Sequence, residues 1–295
     1  MFDAFEVIRN TPMSEYTTLK LGGPADYLAF PHSAEEIAAL FDEAGRNGLP
    51  VTVIGRGSNL LVLDGGIRGL VIRLEKNMNG ITVTGNRMIA QAGAMLSAAA
   101  AAAARAGLTG LEFASGIPGT VGGAAVMNAG AYGGEMKDVI RRVRGVYPGG
   151  EPFELDGEEM RFGYRTSALL GSGRIVTEVE MELSPGDEAA IRARMAELSE
   201  LRAAKAPMDL PSAGSTFKRP EGAYAGALIE QCGLKGYSVG GARVSEKHAG
   251  FLVNTGTSSA DYLQLMKTVQ RIVEERAGIR LEPEIRILGE EEPPA

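Results

Sequence analysis

A glycine-dense stretch in the middle of the chain constrains the fold most. Residues 115–133 read SGIPGTVGGAAVMNAGAYG and hold six glycines and one proline. Because glycine loses more conformational freedom on folding than any other residue, a purely structural loop would rarely keep so many. Apolar residues such as Ile117, Val121 and Met127 argue against a solvated linker. The stretch therefore predicts backbone that lies against a ligand.

A second glycine loop follows a predicted strand. After Val51–Ile54 the chain reads Gly55-Arg56-Gly57-Ser58-Asn59, which offers successive backbone N–H groups and two glycines free to adopt positive φ. Such a nest suits a phosphate or pyrophosphate, although an ordinary strand-exit turn is the alternative. The loop is not the dinucleotide motif GxGxxG, because the third glycine is missing and no helix follows at once. Residues 55–59 and 115–133 are thus two segments that could bind phosphate groups. Together they suggest an extended nucleotide cofactor, with FAD as a candidate.

Composition and charge exclude several classes of protein. The 295 residues carry 30 Lys and Arg against 37 Asp and Glu, and this net charge of -7 argues against non-specific nucleic-acid binding. One cysteine and two histidines exclude an internal disulfide and leave little for a metal centre, so we expect none. The chain has neither a membrane-length apolar run nor an apolar leader. We therefore expect no membrane partner and a cytoplasmic location.

Hydrophobic periodicity predicts the main elements. A strand at Tyr27–Phe30, a helix opened by Ser33 with Glu36 in a capping box, and a strand at Val51–Ile54 predict a βαβ unit. Further helices are predicted at Met95–Ala106, Asp187–Ala204, Tyr224–Cys232 and Asp261–Arg276, and the last of these has the clearest apolar stripe. Leu281–Leu288 is predicted to close the fold as a strand.

Three further motifs carry charged or hydroxyl groups that could act on a substrate, and the first two of them suit an anionic one. Arg161–Ser167, RFGYRTS, can present a cation and a phenol, although a lone arginine is more often only a surface residue. Pro211–Pro220, PSAGSTFKRP, places a hydroxyl near cations, with an ordinary loop as the alternative. On the predicted last strand Glu282, Glu284 and Arg286 would share one face, which is also typical of a solvated surface.

Taken together, these segments resemble the UDP-N-acetylenolpyruvoylglucosamine reductase family. The resemblance runs in order through nearly the entire chain, over residues 53–59, 64–69, 111–138, 162–167, 213–218, 247–254 and 281–289. It implies an α+β fold with a two-part FAD-binding region of the vanillyl-alcohol-oxidase type and a C-terminal α+β substrate domain. The implied domains are 1–75, 76–204 and 205–295.

The resemblance also implies an activity. The family uses NADPH and FAD to reduce the enolpyruvyl group of UDP-N-acetylglucosamine enolpyruvate, which gives UDP-N-acetylmuramate for peptidoglycan. Hydride addition to the terminal CH2 leaves negative charge on the neighbouring carbon and its carboxylate, so the site needs a cation and an acid. By position in the motifs, Arg165 is the cation, Ser215 the proton donor and Glu284 the C-terminal acid. Glu284 must either orient Arg165 or be protonated, and the sequence leaves both open.

The binding residues implied by the resemblance fall into two groups. Sugar-nucleotide contacts fall on Tyr164, Lys205, Arg219 and His248. FAD contacts fall on Gly55, Gly57, Ser58, Asn59, Ser115, Pro118, Gly119, Gly122 and Gly123. No long insertion follows residues 162–167, so the chain resembles the shorter subclass that lacks a Tyr-bearing loop over the substrate. We expect it to act as a monomer.

Two other functions remain open from the sequence. One is an FAD-dependent oxidase or dehydrogenase of a 2-hydroxy acid on a similar scaffold, which would normally need a basic residue to remove a proton. The other is a non-catalytic sugar-nucleotide binder, which would carry no flavin. The set Ser215, Arg165 and Glu284 favours the reductase.

Overall fold

A computed structural model of the chain describes residues 1–291. The chain forms two compact units, each built from several stretches of sequence. Unit 1 comprises residues 1–8, 27–56 and 69–202, and unit 2 comprises residues 9–26, 57–68 and 203–295. The division into domains at residues 75 and 204 stays a prediction.

Helices and strands are mixed along the described chain. The α-helices are α1 (Ala34–Arg46), α2 (Leu96–Arg105), α3 (Val121–Met127), α4 (Glu188–Lys205), α5 (Ala225–Gln231) and α6 (Ser259–Ala277). The strands are β1 (Val7–Pro12), β2 (Pro24–Ala29), β3 (Val51–Ile54), β4 (Leu60–Val62), β5 (Ile67–Arg73), β6 (Ile81–Thr84), β7 (Arg87–Gln91), β8 (Leu108–Thr109), β9 (Gly130–Ala131), β10 (Gly134–Glu135), β11 (Ile140–Val146), β12 (Pro152–Asp156), β13 (Ile175–Glu182), β14 (Ser184–Pro185), β15 (Ser238–Val239), β16 (Ala242–Val244), β17 (Leu252–Asn254) and β18 (Arg286–Leu288).

Unit 1 is organised by a five-stranded antiparallel sheet in the order β12-β11-β13-β7-β6. In the same unit, β3 pairs in parallel with β5, from Val51 opposite Leu70 to Ile54 opposite Arg73. The alanine-rich α2 buries one face, since Leu96, Ala99 and Ala103 are almost inaccessible. Small side chains let this helix pack closely within the apolar core of the unit.

Unit 2 is organised by α6 and a small antiparallel sheet in the order β15-β16-β17. Tyr262, Leu265, Val269 and Val273 of α6 are fully buried in the apolar core of this unit, as their spacing predicts. A separate parallel pair joins β4 to β18, from Leu60 opposite Arg286 to Val62 opposite Leu288. This pair brings two segments together that are more than two hundred residues apart in the sequence.

The predicted helices are confirmed, and their ends follow the expected capping residues. Ser33 accepts a hydrogen bond from the N–H of Glu36 at 3.3 Å, but the Glu36 carboxylate reaches the N–H of His32 instead of closing the box on Ser33. Gly278 ends α6 with a φ of +68°, a conformation that glycine adopts without steric cost.

The predicted strand over Leu281–Leu288 is wrong for its first five residues. Only Arg286–Leu288 forms a strand, and residues 282–284 pair locally with the segment around Phe217 instead. Pro283 explains part of this difference, because proline cannot donate a ladder hydrogen bond. Glu282, Glu284 and Arg286 therefore do not share one face of a regular strand.

Within residues 1–291, no helix combines the length and the apolar character needed to cross a membrane.

Candidate active site

The loop Gly55–Asn59 has the unused donors expected of a phosphate-binding nest. Among residues 1–291, the backbone N–H groups from Gly55 to Asn59 donate no hydrogen bond to another group of the chain. Gly57 is buried, so its N–H needs a partner that the protein itself does not provide. The side chain of Arg56, in contrast, is engaged, because its guanidinium lies 2.9 Å from the Glu75 carboxylate.

Two glycines of this loop are required by close packing. A Cβ on Gly55 would collide with the Thr120 hydroxyl, which caps the start of α3. A Cβ on Gly57 would collide with the carbonyl oxygen of Tyr16, and Gly57 has a φ of +75°. The conformation of the loop therefore depends on glycine at both positions.

The first half of the long glycine stretch is held by internal hydrogen bonds. The N–H groups of Gly119 and Gly122 donate to the carbonyl oxygens of Ile117 and Ala92, respectively. The N–H of Gly123 donates to the hydroxyl of Thr120. Gly122 is buried, and a Cβ there would lie 2.6 Å from the Cβ of Ala92, so close packing explains this glycine. Gly123 and Pro118 are exposed, and the only atom near a Cβ on Gly123 would be the Thr120 hydroxyl at 3.3 Å.

The two glycine-rich segments could contact FAD through different groups. The loop Gly55–Asn59 can bind phosphate oxygens with its unused N–H groups. The amides of Gly119, Gly122 and Gly123 are already used, so the stretch that includes Ser115 and Pro118 would contact a cofactor through exposed surface and carbonyl oxygens. The Ser115 hydroxyl itself donates to the carbonyl oxygen of Glu112 at 2.8 Å.

Arg165 is anchored to the second half of the glycine stretch. Its guanidinium donates to the carbonyl oxygen of Gly130 at 3.0 Å and lies 5.1 Å from the centre of the Tyr164 ring. In the same motif, the Ser167 hydroxyl donates to the carbonyl oxygen of Val126 at 2.8 Å. The structure thus brings together two motifs of unit 1 that the sequence analysis identified separately.

Asn128 connects the same two motifs from inside. It is fully buried, ends α3 with a φ of +43°, and donates through Nδ2 to the carbonyl oxygen of Gly163 at 3.0 Å and to the Glu135 carboxylate at 2.9 Å. A hydrogen bond from Lys137, the amide of Asn128 and the charge of Arg165 together hold the pKa of Glu135 below its ordinary value. Glu135 is therefore an ionised partner in the surroundings of Arg165.

Backbone strain is concentrated in these segments. Asn128, Tyr132, Arg161 and Arg165 all have positive φ, which costs a residue with a Cβ about 1 kcal/mol or more. Such strain persists where surrounding contacts fix the chain, and it is common at functional sites. The strained conformation of Arg165 is consistent with a side chain whose direction is fixed.

Ser215 and Glu284 lie on two segments of unit 2 that pair with each other. The N–H of Glu284 donates to the carbonyl oxygen of Thr216 at 2.8 Å, and the N–H of Lys218 donates to that of Glu282 at 2.8 Å. Phe217 and Pro283 face each other between these bonds. The Ser215 side chain is exposed and makes no hydrogen bond within the described chain, which leaves its hydroxyl available to a ligand.

The residue after Ser215 is fixed by a buried network. The Thr216 hydroxyl accepts a hydrogen bond from the N–H of Leu252 at 3.2 Å and lies 3.3 Å from the hydroxyl of Tyr262. Tyr262 in turn donates to the carbonyl oxygen of Leu252 at 3.2 Å. Complete burial raises the pKa of Tyr262, so this phenol stays neutral. Sequence analysis missed this network.

Asn59, the last residue of the loop Gly55–Asn59, is hydrogen-bonded to the Glu284 segment within unit 2. The side-chain amide of Asn59 donates to the carbonyl oxygen of Glu284 at 3.2 Å. The backbone carbonyl oxygen of Asn59 accepts from the N–H of Arg286 at 2.9 Å. The β4–β18 pair continues from this point. The apolar run Leu60–Leu63 that follows Asn59 is the one sequence signal that could have indicated β4.

Three of the predicted substrate residues belong to unit 2. Lys205 and Arg219 are exposed, and His248 is half-buried. The N–H of Gly250 donates to Nδ1 of His248 at 3.1 Å, so the neutral ring carries its proton on Nε2. Burial, together with Lys205 and Lys235, lowers the pKa of His248. His248 is therefore a neutral hydrogen-bond donor near neutral pH.

Two family models match the chain. Residues 25–156 match an FAD binding domain, and residues 206–288 match the C-terminal domain of UDP-N-acetylenolpyruvoylglucosamine reductase. These matches confirm the FAD-binding region and the α+β fold predicted from the sequence.

Similar proteins extend over nearly the whole chain. The UDP-N-acetylenolpyruvoylglucosamine reductase of Lactiplantibacillus plantarum is 50% identical over 291 residues, which is 98% of this chain and 96% of that protein. The protein of the same name from Caldanaerobacter subterraneus is 49% identical over 282 residues, which is 95% of this chain and 93% of its own. A crystal structure of the reductase from Thermus caldophilus, 39% identical, superimposes with a TM-score of 0.84 over 97% of this chain and all of that one.

Proposed function

Because the chain belongs to the UDP-N-acetylenolpyruvoylglucosamine reductase family, we propose that it reduces UDP-N-acetylglucosamine enolpyruvate to UDP-N-acetylmuramate. FAD, when bound, supplies the hydride that originates from NADPH. The residues of the chain then have to bind the substrate, hold its carboxylate and deliver one proton. We also propose a cytoplasmic location and a monomeric state.

Arg165 is proposed to bind the substrate carboxylate. Reduction of the enolpyruvyl double bond places negative charge on the carbon beside that carboxylate, and a fixed cation stabilises this charge. The bond from Arg165 to Gly130 and the strained backbone support the assignment, because both restrict where the guanidinium can point. A guanidinium can also hold a carboxylate with two parallel hydrogen bonds, which an ammonium cannot.

Ser215 is proposed to donate the proton to the substrate carbon beside the carboxylate. A serine hydroxyl is a weak acid, so it can act here only toward a strongly basic carbon and only when it is held in place. The exposed hydroxyl of Ser215 and the fixed backbone of Thr216 support this role. Glu284 is proposed as the third catalytic residue, since its N–H is bonded to the carbonyl of Thr216, directly after Ser215.

FAD is proposed to bind with its diphosphate against the nest Gly55, Gly57, Ser58 and Asn59. The unused N–H groups of this loop support that placement. Ser115, Pro118, Gly119, Gly122 and Gly123 are proposed to shape the remaining cofactor surface. Tyr164, Lys205, Arg219 and His248 are proposed to contact the sugar nucleotide. Lys205 and Arg219 can offer positively charged hydrogen-bond donors to its phosphates, and His248 can offer a neutral one.

The single observation that carries the proposal is the pairing of the Ser215 and Glu284 segments within a chain of this family. The test is NADPH oxidation by the FAD-loaded protein with and without UDP-N-acetylglucosamine enolpyruvate. We expect oxidation that depends on this substrate and yields UDP-N-acetylmuramate. NADPH oxidation that is the same without the substrate, or turnover of a 2-hydroxy acid instead, would reject the proposal.

A further inference from the structure

An exposed tyrosine of unit 2 lies under an arginine guanidinium. The Cζ atom of Arg219 is 4.8 Å from the centre of the Tyr224 ring, and Tyr224 is 64% exposed. A cation above one face fixes the ring without burying it. The ring therefore offers an accessible aromatic surface whose orientation is already restricted.

Tyr224 is connected by contacts to the segment of the proposed proton donor. It directly precedes α5, and Gly226 in that helix packs against His248 so closely that a Cβ would lie 2.9 Å from Cε1. The same Cβ would lie 3.2 Å from the N–H nitrogen of Gly250, and the carbonyl oxygen of Gly250 accepts from the N–H of Thr216 at 2.9 Å. Tyr224, His248 and Ser215 thus belong to one continuous region of unit 2.

The charges of this region favour an anion. The charges of Lys205 and Lys235 lower the pKa of His248, whereas the charge of Glu230 raises it. Glu230 is itself paired with Lys235 at 2.7 Å. Arg219 adds a guanidinium beside the exposed ring. Cations next to an exposed aromatic ring are the combination that recognises a nucleobase together with its phosphates.

We propose that Tyr224 stacks against the uracil ring of the UDP-sugar, beside Arg219, whose contact with the phosphates of the sugar nucleotide already belongs to the proposed function. This assignment rests on the proposed function, because it takes its ligand from that reaction. Neither the adenine of NADPH nor a sugar ring is the proposed occupant.

The test measures binding of UDP and of inorganic pyrophosphate to the FAD-loaded protein. Loss of a base–aromatic stack costs about 1–3 kcal/mol. Tyr224→Ala should therefore weaken UDP binding by about 5- to 150-fold and leave pyrophosphate binding unchanged. Tyr224→Phe should bind both as the wild type does, whereas Arg219→Gln should weaken both. The KM for NADPH in flavin reduction should not change in Tyr224→Ala.

A matched control exists in unit 1. Tyr147 is 37% exposed, its ring centre lies 5.5 Å from Cζ of Arg174, and its hydroxyl accepts a hydrogen bond from that guanidinium at 3.2 Å, so Tyr147→Ala removes another arginine–tyrosine pair. We expect unaltered UDP binding in that variant. The inference is overturned by any of three results for Tyr224→Ala: normal affinity for UDP, an equal loss of affinity for pyrophosphate and for UDP, or a change only in the KM for NADPH. A wild-type protein that fails to bind UDP at all would reject the proposed function as well.

Discussion

Glu284 and Thr216 are joined by a 2.8 Å hydrogen bond from the N–H of the first to the carbonyl oxygen of the second. Ser215, the proposed proton donor, directly precedes Thr216. This bond therefore fixes the backbone next to Ser215 relative to the backbone of Glu284. Glu284 is held further by Asn59, whose side-chain amide donates to the carbonyl oxygen of Glu284. Unit 2 therefore places the backbones of these two segments side by side.

Replacing Ser215 by alanine should separate the two halves of the reaction. The variant should bind FAD and accept electrons from NADPH normally, but product formation should fall by about 100- to 1000-fold, as when one preorganised donor is removed. The measurement compares flavin reduction with product release in the same sample. Ser238→Ala, which removes an exposed serine of the same unit, is the control and should retain full turnover. Normal product formation by Ser215→Ala would refute the assignment.

Thr216→Val should destabilise unit 2. The change leaves the buried N–H of Leu252 without its acceptor and removes a partner of Tyr262, at a cost of about 1–3 kcal/mol. Urea unfolding should show a lower midpoint with an unchanged slope. Thr255→Val removes an exposed hydroxyl that donates to the carbonyl oxygen of Gly241, and it should have a smaller effect. Equal losses in the two variants would argue against the buried network.

Arg165→Gly should lose activity without a large loss of stability. Removal of the side chain eliminates the proposed contact with the substrate carboxylate. Glycine adopts the φ of +53° without the backbone strain that an arginine has there. We expect the free energy of unfolding to stay within about 1 kcal/mol, since relief of strain offsets the added chain entropy. Arg161→Gly relieves a φ of +45° and should keep its activity. Loss of turnover in both variants would indicate a purely structural role.

Gly55→Ala should weaken FAD binding by about tenfold or more, because its Cβ would displace the loop from the Thr120 hydroxyl. The double variant with Thr120→Ala removes the colliding oxygen and should regain part of the affinity. Thr120→Ala alone loses the cap of α3 and controls for that effect. Equilibrium titration with FAD measures all three variants. Wild-type affinity in Gly55→Ala would contradict the proposed nest.

His248 should make stability depend on pH. Burial lowers its pKa in the folded protein, so below its ordinary value the unfolded chain binds more protons than the folded one. The stabilisation is present above an ordinary histidine pKa of about 6.5 and is lost as the pH falls below it. Urea midpoints at about pH 7.5 and about pH 5.5 should differ more in the wild type than in His248→Gln. An equal difference would assign the pH dependence to other groups.

Local sequence signals predicted the helices well. The capping residues Ser33 and Gly278 and the apolar stripe of α6 act over a few residues, so they are visible without tertiary structure. The pairing of residues 216–218 with residues 282–284 depends on contacts across more than sixty residues, and the period-2 pattern of the last segment suggested a regular strand instead. The Thr216–Tyr262 network was missed for the same reason.

The most direct test of the account is a two-step reaction without oxygen. The FAD-loaded protein is first reduced with one equivalent of NADPH and then mixed with UDP-N-acetylglucosamine enolpyruvate. We predict that the flavin absorbance of the oxidised state returns and that one equivalent of UDP-N-acetylmuramate forms. A flavin that stays reduced in the presence of this substrate would contradict the account.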